Sequence, residues 1–193
     1  MISSDTVKEL RDKTGISVMQ CKAALEEAGG DMEKAILLLR KKGSAIADKK
    51  GDRELASGVF ATYTHANKKV ASVVELLSET DFVSKHEDFA KLAYDIALQV
   101  AATNPQYKTR ADVPEAELQK IKDLYVKDVE GKPENLKETI LSGKVDSFMK
   151  GMVLMEQPFI KDDSLTVRQL IDNAVQKFGE RIDVGDFKRY ATK

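Results

Sequence analysis

Residues 70–83 read VASVVELLSETDFV, and this stretch carries the strongest prediction of the fold. Its first part, Val70 to Leu77, is rich in β-branched and apolar side chains, which predicts a strand. Thr80 is then expected to be the N-cap of a helix, with Asp81 in the first turn favoured by the helix dipole. Phe82 would stand at the junction, where a ring more often packs inward as a staple than faces solvent.

The residues just before and far after this strand are predicted to pair with it. Side chains alternate through Val59–His65, and Asn67 to Lys69 offer turn chemistry before Val70, so a β-hairpin is expected. The segment Arg181–Tyr190, RIDVGDFKRY, is short, alternating and aromatic. It is predicted to add a third strand to the hairpin.

Between these strands the apolar residues recur at helical spacing. One stripe runs through Phe89–Val100 and stops near Asn104, and two further helices are predicted to open at Pro114 and Pro133. These two would form a helical hairpin. A last helix is predicted to follow Ser164.

Three short helices are predicted at the N-terminus. Ser4 is a cap candidate for the first, Ser17 with Gln20 resembles a capping box for the second, and Asp31 is expected to cap the third. Three helices of this length share a small core, so they would form a compact unit.

A charged stretch with few apolar residues follows these helices. Residues 43–56 contain Gly43 and Gly51 and lack a sustained apolar face, which favours a tether, with at most a helical turn near residues 44–49. The fold class expected is therefore α+β. The predicted domains are a three-helix module (1–42), a tether (43–56) and a core with a small antiparallel sheet packed on helices (57–193).

Composition excludes several classes of function. The chain has 193 residues, of which 42% are hydrophobic and 33% charged, as in soluble globular proteins. A net charge of −1 argues against a general nucleic-acid binder. The sequence begins without a signal-like region and has no run of about 18 apolar residues, so a cytoplasmic protein without a membrane span is expected.

The residues that could carry catalysis or bind a metal are sparse. Cys21 has apolar helix neighbours and is expected to be a buried, inert thiol, and His65 and His86 cannot complete a zinc site with it. Asp162 and Asp163 precede a helix, where a loop or cap role is favoured over magnesium binding. No enzyme, cofactor or metal site is expected.

Several segments together resemble one known family. They are Val7–Gly15 (VKELRDKTG), Cys21–Leu25 (CKAAL), Gly30–Ala35 (GDMEKA), Leu39–Gly43 (LRKKG) and Glu79–Val83 (ETDFV). The first four resemble the N-terminal helical module, of the ubiquitin-associated type, of bacterial elongation factor Ts. The last is similar to the second signature of that family. Gln99–Ala102 with Pro105, and Glu156–Phe159, extend the similarity through most of the chain.

This resemblance implies guanine-nucleotide exchange on the GTPase elongation factor Tu. The family implies that Thr80, Asp81, Phe82 and Val83 contact the GTPase, with Asp81 and Phe82 pushed in near its magnesium and phosphate site. The resemblance also implies that the N-terminal module docks on the GTPase through Arg11, Val18 and Met19, which occupy the matching positions of the family. Val18 stands where a methionine is common in the family.

The resemblance also bears on assembly. Short members of the family pair two chains to complete the core, so a homodimer is implied, formed by the hairpin and the C-terminal strand. Val184–Phe187 (VGDF) places glycine and acid where the family tends to be basic. The alternative interpretation of the whole chain is a helical binding module carried on a dimerisation scaffold. An enzyme would instead need a perturbed carboxylate in a deep pocket, such as Asp162 or Asp163.

Overall fold

The structure is a computed structural model that describes residues 2–131 and 133–192. Within them, the helices are α1 (Ser4–Thr14), α2 (Val18–Glu27), α3 (Met32–Lys49), α4 (Asp81–Ser84), α5 (Glu87–Thr103), α6 (Glu115–Val126), α7 (Glu134–Met152) and α8 (Val167–Phe178). The strands are β1 (Ser57–Thr64), β2 (Val70–Ser78), β3 (Pro158–Phe159), β4 (Asp162–Thr166) and β5 (Ile182–Ala191). The architecture is α+β, as predicted.

The main sheet has three antiparallel strands in the order β1-β2-β5. Ser57 pairs with Ser78 in the β1–β2 hairpin, and Ser78 also pairs with Ile182 of β5. The register of β5 shifts between Val74 and Leu76. The predicted hairpin and the predicted C-terminal third strand are therefore confirmed.

One face of this sheet covers the main core. Val74 and Val184 of the sheet share a buried cluster with Phe89 and Ile96 of α5, and all four side chains are fully buried. Val175 of α8 belongs to the same cluster. The apolar stripe of α5 predicted from the sequence is thus what holds the sheet.

A buried polar cluster ties α5 to the segment before β3. The Gln99 side chain donates to the Gln157 Oε1 atom at 3.1 Å and accepts from the Ile160 backbone N–H at 2.8 Å. Gln157 in turn donates to the Gly151 carbonyl at 2.6 Å. Buried amides need such partners, which explains why glutamines occur in these two otherwise apolar segments.

The region before α8 differs from the prediction. Asp162 and Asp163 open β4, which pairs with β3 in a two-stranded sheet. Thr166, not Ser164, caps α8, and its hydroxyl and the Gln169 side chain form a reciprocal capping box. The expected loop or cap role of the acidic pair was wrong because both residues lie in β4, where Asp162 pairs with Phe159.

The three N-terminal helices enclose their own small core. Leu10, Cys21, Leu25 and Leu39 are almost completely buried in it. The Ser17 hydroxyl accepts from the Gln20 N–H, and the Asp31 carboxylate accepts from the Lys34 N–H, as predicted for caps. The first cap is Ser3 rather than Ser4, since the Ser3 hydroxyl accepts from the Thr6 N–H.

The third helix is longer than expected. It continues to Lys49, so the predicted tether is helical over residues 43–49. Gly43 is buried, and a Cβ atom placed there would lie 3.0 Å from Gln176 Oε1 of α8. Because glycine allows the two helices to approach this closely, a residue that suggested flexibility from the sequence is instead part of a packed contact.

The predicted helical hairpin is formed by α6 and α7, which enclose a separate small core around Ile121 and Met149. Arg110 anchors it. Its guanidinium contacts Glu156 at 2.5 Å and Asp146 at 2.6 Å. Hydrogen bonds to both carboxylates raise the pKa of Arg110, so it remains a fixed positive charge between the hairpin and the main core.

Candidate functional site

The Phe82 ring is the most exposed large apolar side chain of the predicted site. It is 87% exposed at the start of the four-residue helix α4. The neighbouring Val83 is only 7% exposed and packs into the main core. The staple interpretation of Phe82 is therefore wrong, because Val83 fills the space at the end of the strand.

Asp81 stands beside this ring with its carboxylate in solvent. Its side chain is 58% exposed and its Oδ2 atom lies 2.6 Å from the Lys85 Nζ atom, one helical turn away. The hydrogen bond and the charge of Lys85 lower the pKa of Asp81. Asp81 and Phe82, called the prong below, therefore present a carboxylate and a ring together at the surface.

Thr80 occupies the N-cap position of α4, but its side chain makes no cap hydrogen bond. The hydroxyl instead donates to Glu180 Oε1 at 2.5 Å, and the Thr80 backbone N–H donates to Glu180 Oε2 at 3.0 Å. The predicted N-cap position of Thr80 is confirmed, but its side chain does not cap α4 because a carboxylate from the segment after α8 accepts the hydroxyl hydrogen.

Glu79, two residues before Asp81, is also held by contacts with distant segments of the chain. Its carboxylate accepts from the Arg53 guanidinium at 3.0 Å and from the Arg181 backbone N–H at 2.5 Å. Desolvation opposes ionisation, but these donors outweigh it and lower the pKa of Glu79. The Arg181 side chain also donates to the Arg53 carbonyl. Three distant segments therefore meet at residues 79–80.

Two serines complete the attachment. The Ser78 hydroxyl donates to the Thr80 carbonyl at 3.0 Å, and the Ser84 and Ser57 hydroxyls lie 2.7 Å apart. Ser78 and Ser84 are buried, whereas Phe82 between them is exposed. The prong is consequently an exposed pair of side chains on a fixed backbone, an arrangement suited to insertion into another molecule.

The residues expected to dock the N-terminal module form a second exposed set. Val18 is 49% and Met19 76% exposed at the start of α2, and Arg11 is exposed on α1. Gly15, between them, has a φ of 68° and ends α1 in the left-handed conformation. These three residues, called the module surface below, lie on either side of that sharp turn.

The turn at Gly15 packs beside the last turn of α8. A Cβ atom at Gly15 would lie 3.7 Å from the side chain of Lys177, which forms an ion pair with Asp88 at 2.6 Å. Glu180, three residues after Lys177, holds the prong. The module surface and the prong are therefore both attached near the C-terminal end of α8.

Other candidate residues have structural roles. Cys21 is buried, and burial raises the pKa of its thiol against the opposing effects of Thr14 and Arg11. His86 is the N-cap residue of α5, and its Nδ1 atom accepts from the Asp88 backbone N–H. Among the described residues, no three or more His, Cys, Asp or Glu side chains are grouped to hold a metal ion.

No helix in residues 2–131 and 133–192 combines the length and apolar character needed to cross a membrane.

The sequence did not indicate the residues that fix the prong. Glu180, Arg53 and Arg181 lie 100, 26 and 102 residues from their partners at positions 79 and 80. Arg53 belongs to the predicted tether, and Arg181 begins the predicted third strand. Each of these residues alone is typical of a solvated surface. The contacts could be predicted from sequence only by correlated changes at the two positions of each pair.

Comparison with known proteins places this geometry in a family. The family model described as elongation factor TS matches residues 41–193. The chain is 45% identical to elongation factor Ts of Thermotoga petrophila over 189 residues, covering 98% of this chain and 95% of that protein. It is 47% identical to elongation factor Ts of Desulforamulus reducens, covering 98% and 88%, and 46% identical to that of Herpetosiphon aurantiacus, covering 98% and 96%. The matched residues include the prong and every residue that anchors it, and the chain belongs to the elongation factor Ts family of translation elongation factors.

Proposed function

We propose that this protein promotes release of GDP from elongation factor Tu in the cytoplasm by inserting Asp81 and Phe82 near the magnesium and phosphate site of that GTPase. The observation that carries the proposal is the exposure of Phe82, which is 87%, on a backbone anchored by buried neighbours. Membership of the elongation factor Ts family supports the choice of partner.

The energetic requirement can be met without reaction chemistry. A GTPase that binds its nucleotide with nanomolar affinity is stabilised by about 12 kcal/mol. Release that is faster by a factor of about 10⁴ requires an exit barrier lower by roughly 5.5 kcal/mol. Binding energy from a broad interface can supply this difference, and linkage requires that nucleotide weakens binding of the factor by the same amount.

The two side chains of the prong would contribute in different ways. A ring that is already exposed has little self-packing to lose when it displaces apolar packing in the partner. The Asp81 carboxylate, held ionised beside Lys85, would bring negative charge toward groups that serve a metal and phosphates. The affinity that drives both insertions is proposed to come in part from the module surface at Arg11, Val18 and Met19.

A helical binding module on a scaffold is the alternative function. The prong distinguishes the two proposals, because an adaptor that binds through its three N-terminal helices gains nothing from an exposed carboxylate and ring anchored on the core. Phe82 lies on α4 and is not part of that module.

The test is release of fluorescently labelled GDP from elongation factor Tu, measured with the intact chain and with Phe82→Ala and Asp81→Ala. Strong acceleration by the intact chain and much weaker acceleration by both variants are expected. Leu124→Ala is the matched control, since Leu124 is 66% exposed on the separate helix α6. Circular dichroism verifies equal folding. Equal rates for all four proteins would reject insertion of the prong.

We also propose that the chain forms a homodimer through its sheet. Phe60 on β1 is 72% exposed and Tyr190 on β5 is 63% exposed. Phe60 pairs with Glu75 and Tyr190 with Ala71, two positions of β2 that alternate with the buried Ser72 and Val74 and so face away from the main core. Light scattering tests this directly: a mass near twice 21.4 kDa is expected, and a monomer at all concentrations would reject it.

A further inference from the structure

The prong lies on a helix that is too short to fix the direction of its own side chains. α4 spans four residues and its N-cap residue, Thr80, makes no side-chain cap hydrogen bond. Helices this short are not stable by themselves, because nucleation costs more than one turn returns. The direction in which Asp81 and Phe82 project must therefore be fixed by contacts from elsewhere in the chain.

We infer that Glu180 is a positioning residue for the prong, an inference that rests on the function proposed above. Glu180 accepts two hydrogen bonds from the residue immediately before Asp81. The Thr80 N–H donates at 3.0 Å and the Thr80 hydroxyl at 2.5 Å, one to each carboxylate oxygen. This pair fixes both the backbone and the side chain of Thr80.

Glu180 is itself held in place. Gly179 ends α8 with a φ of 72°, and its carbonyl accepts from the Lys50 Nζ atom at 2.6 Å. On the other side of Glu180, the Arg181 backbone N–H donates to the Glu79 carboxylate at 2.5 Å. Residues 79–80 and 180–181 are thus joined by hydrogen bonds in both directions, and Glu180 is half-buried.

The chemistry of these contacts selects glutamate. A carboxylate offers two acceptor oxygens and no donor, which matches one N–H and one O–H donor. Glutamine can accept from the N–H and donate to the Thr80 hydroxyl oxygen, but it loses the two charge-assisted hydrogen bonds that the carboxylate makes. Aspartate has the same carboxylate on a side chain that is shorter by one methylene group, which moves both acceptor oxygens away from Thr80. A carboxylate of this length therefore makes the stronger pair of hydrogen bonds to Thr80.

The test uses a tryptophan as a reporter of prong motion. The chain contains no tryptophan, so Phe82→Trp supplies a single indole at the tip of the prong. Time-resolved anisotropy of this indole is measured with Glu180 intact and in Glu180→Ala and Glu180→Gln, with Glu115→Ala on α6 as the matched control. GDP release from elongation factor Tu is measured with the same proteins and with the same changes at Glu180 in the native Phe82 background.

Glu180→Ala is expected to increase the amplitude of fast indole motion and to slow GDP release by about tenfold, the factor that corresponds to about 1.4 kcal/mol. Glu180→Gln should lie between Glu180→Ala and the parent chain, and Glu115→Ala should match the parent. Unchanged indole motion in Glu180→Ala overturns the inference, as does increased motion with undiminished acceleration of release. If the native chain itself fails to accelerate release while the indole motion still increases, the proposed function is overturned and the positioning of the prong by Glu180 is supported.

Discussion

Phe82 and Phe89 belong to the same short stretch of chain, yet Phe82 is 87% exposed and Phe89 is fully buried at 0%. Phe89 packs edge-on against Phe178 with ring centroids 6.3 Å apart. The break between α4 and α5 at Lys85 and His86 separates the two environments. One ring therefore stabilises the fold, while the other is available to a partner.

Substitution by alanine should strongly reduce the free energy of unfolding at Phe89 and hardly change it at Phe82. Phe89→Ala is expected to lower the free energy of unfolding by about 3–5 kcal/mol, because it empties a buried site. Phe82→Ala should change it by no more than about 0.5 kcal/mol, as for other exposed positions. Urea unfolding of both variants checks this. A large loss in Phe82→Ala would mean that the ring packs within its own chain.

The charge of Lys85 should control the titration of Asp81. Because Lys85 lowers the pKa of Asp81 in the folded protein, this contact stabilises the fold above the unfolded-state pKa. That stability is lost as the pH falls through the folded-state value. Lys85→Met is expected to raise the pKa of Asp81, as measured by carbon-detected NMR of the carboxylate. An unchanged titration in this variant would remove Lys85 as the cause.

The glycine at the contact of α3 and α8 should not tolerate a large side chain. A Cβ atom added to Gly43 would lie 3.0 Å from Gln176 Oε1 and 3.3 Å from the Asp172 carbonyl oxygen. Gly43→Leu is expected to destabilise the protein by about 1–3 kcal/mol through overpacking. Gly143 in α7 is the control, since nothing lies within 4 Å of the position that its Cβ atom would take.

Gly143→Ala should stabilise the protein by about 0.5–1 kcal/mol through helix propensity. Thermal unfolding of both variants measures the difference. Equal effects of Gly43→Leu and Gly143→Ala would show that α3 does not pack closely on α8.

Asp172 should make the stability of this helix contact depend on pH. It is 4% exposed, and burial raises its pKa against the opposing effects of Arg168 and Ser44, while Asp48 adds to the rise. The folded state therefore holds a proton more tightly than the unfolded state, so stability falls as the pH rises from the ordinary carboxyl pKa through the folded-state value.

Asp172→Asn is expected to remove this pH dependence. The variant's melting temperature should therefore exceed that of the parent chain by more at neutral pH than at acidic pH. Melting temperatures measured across the acidic and neutral range provide the test. Asp162→Asn is the control, because Asp162 is exposed at the start of β4. The same pH profile for Asp172→Asn and the parent chain would contradict the expectation.

Local sequence signals determined most of the secondary structure. The β-branched run at Val70–Leu77 became β2, and the apolar stripe from Phe89 became α5. Asp31 caps α3 as predicted, whereas Ser17 accepts from the Gln20 N–H without the reciprocal bond of a capping box, because the Gln20 side chain accepts from Gln176. These features depend on side chains within one turn or one hairpin of each other, so neighbouring residues carry the information that specifies them.

Tertiary structure decided the features that concern the site. Whether Phe82 is buried depends on which neighbour fills the core, and Val83 does so. Whether Thr80 caps its own helix depends on Glu180, which is 100 residues away in the chain. Residues 43–49 are helical, and within them Gly43 lies close to α8. In each case the deciding contact is one that only the folded chain brings within the few ångströms over which hydrogen bonding and packing act.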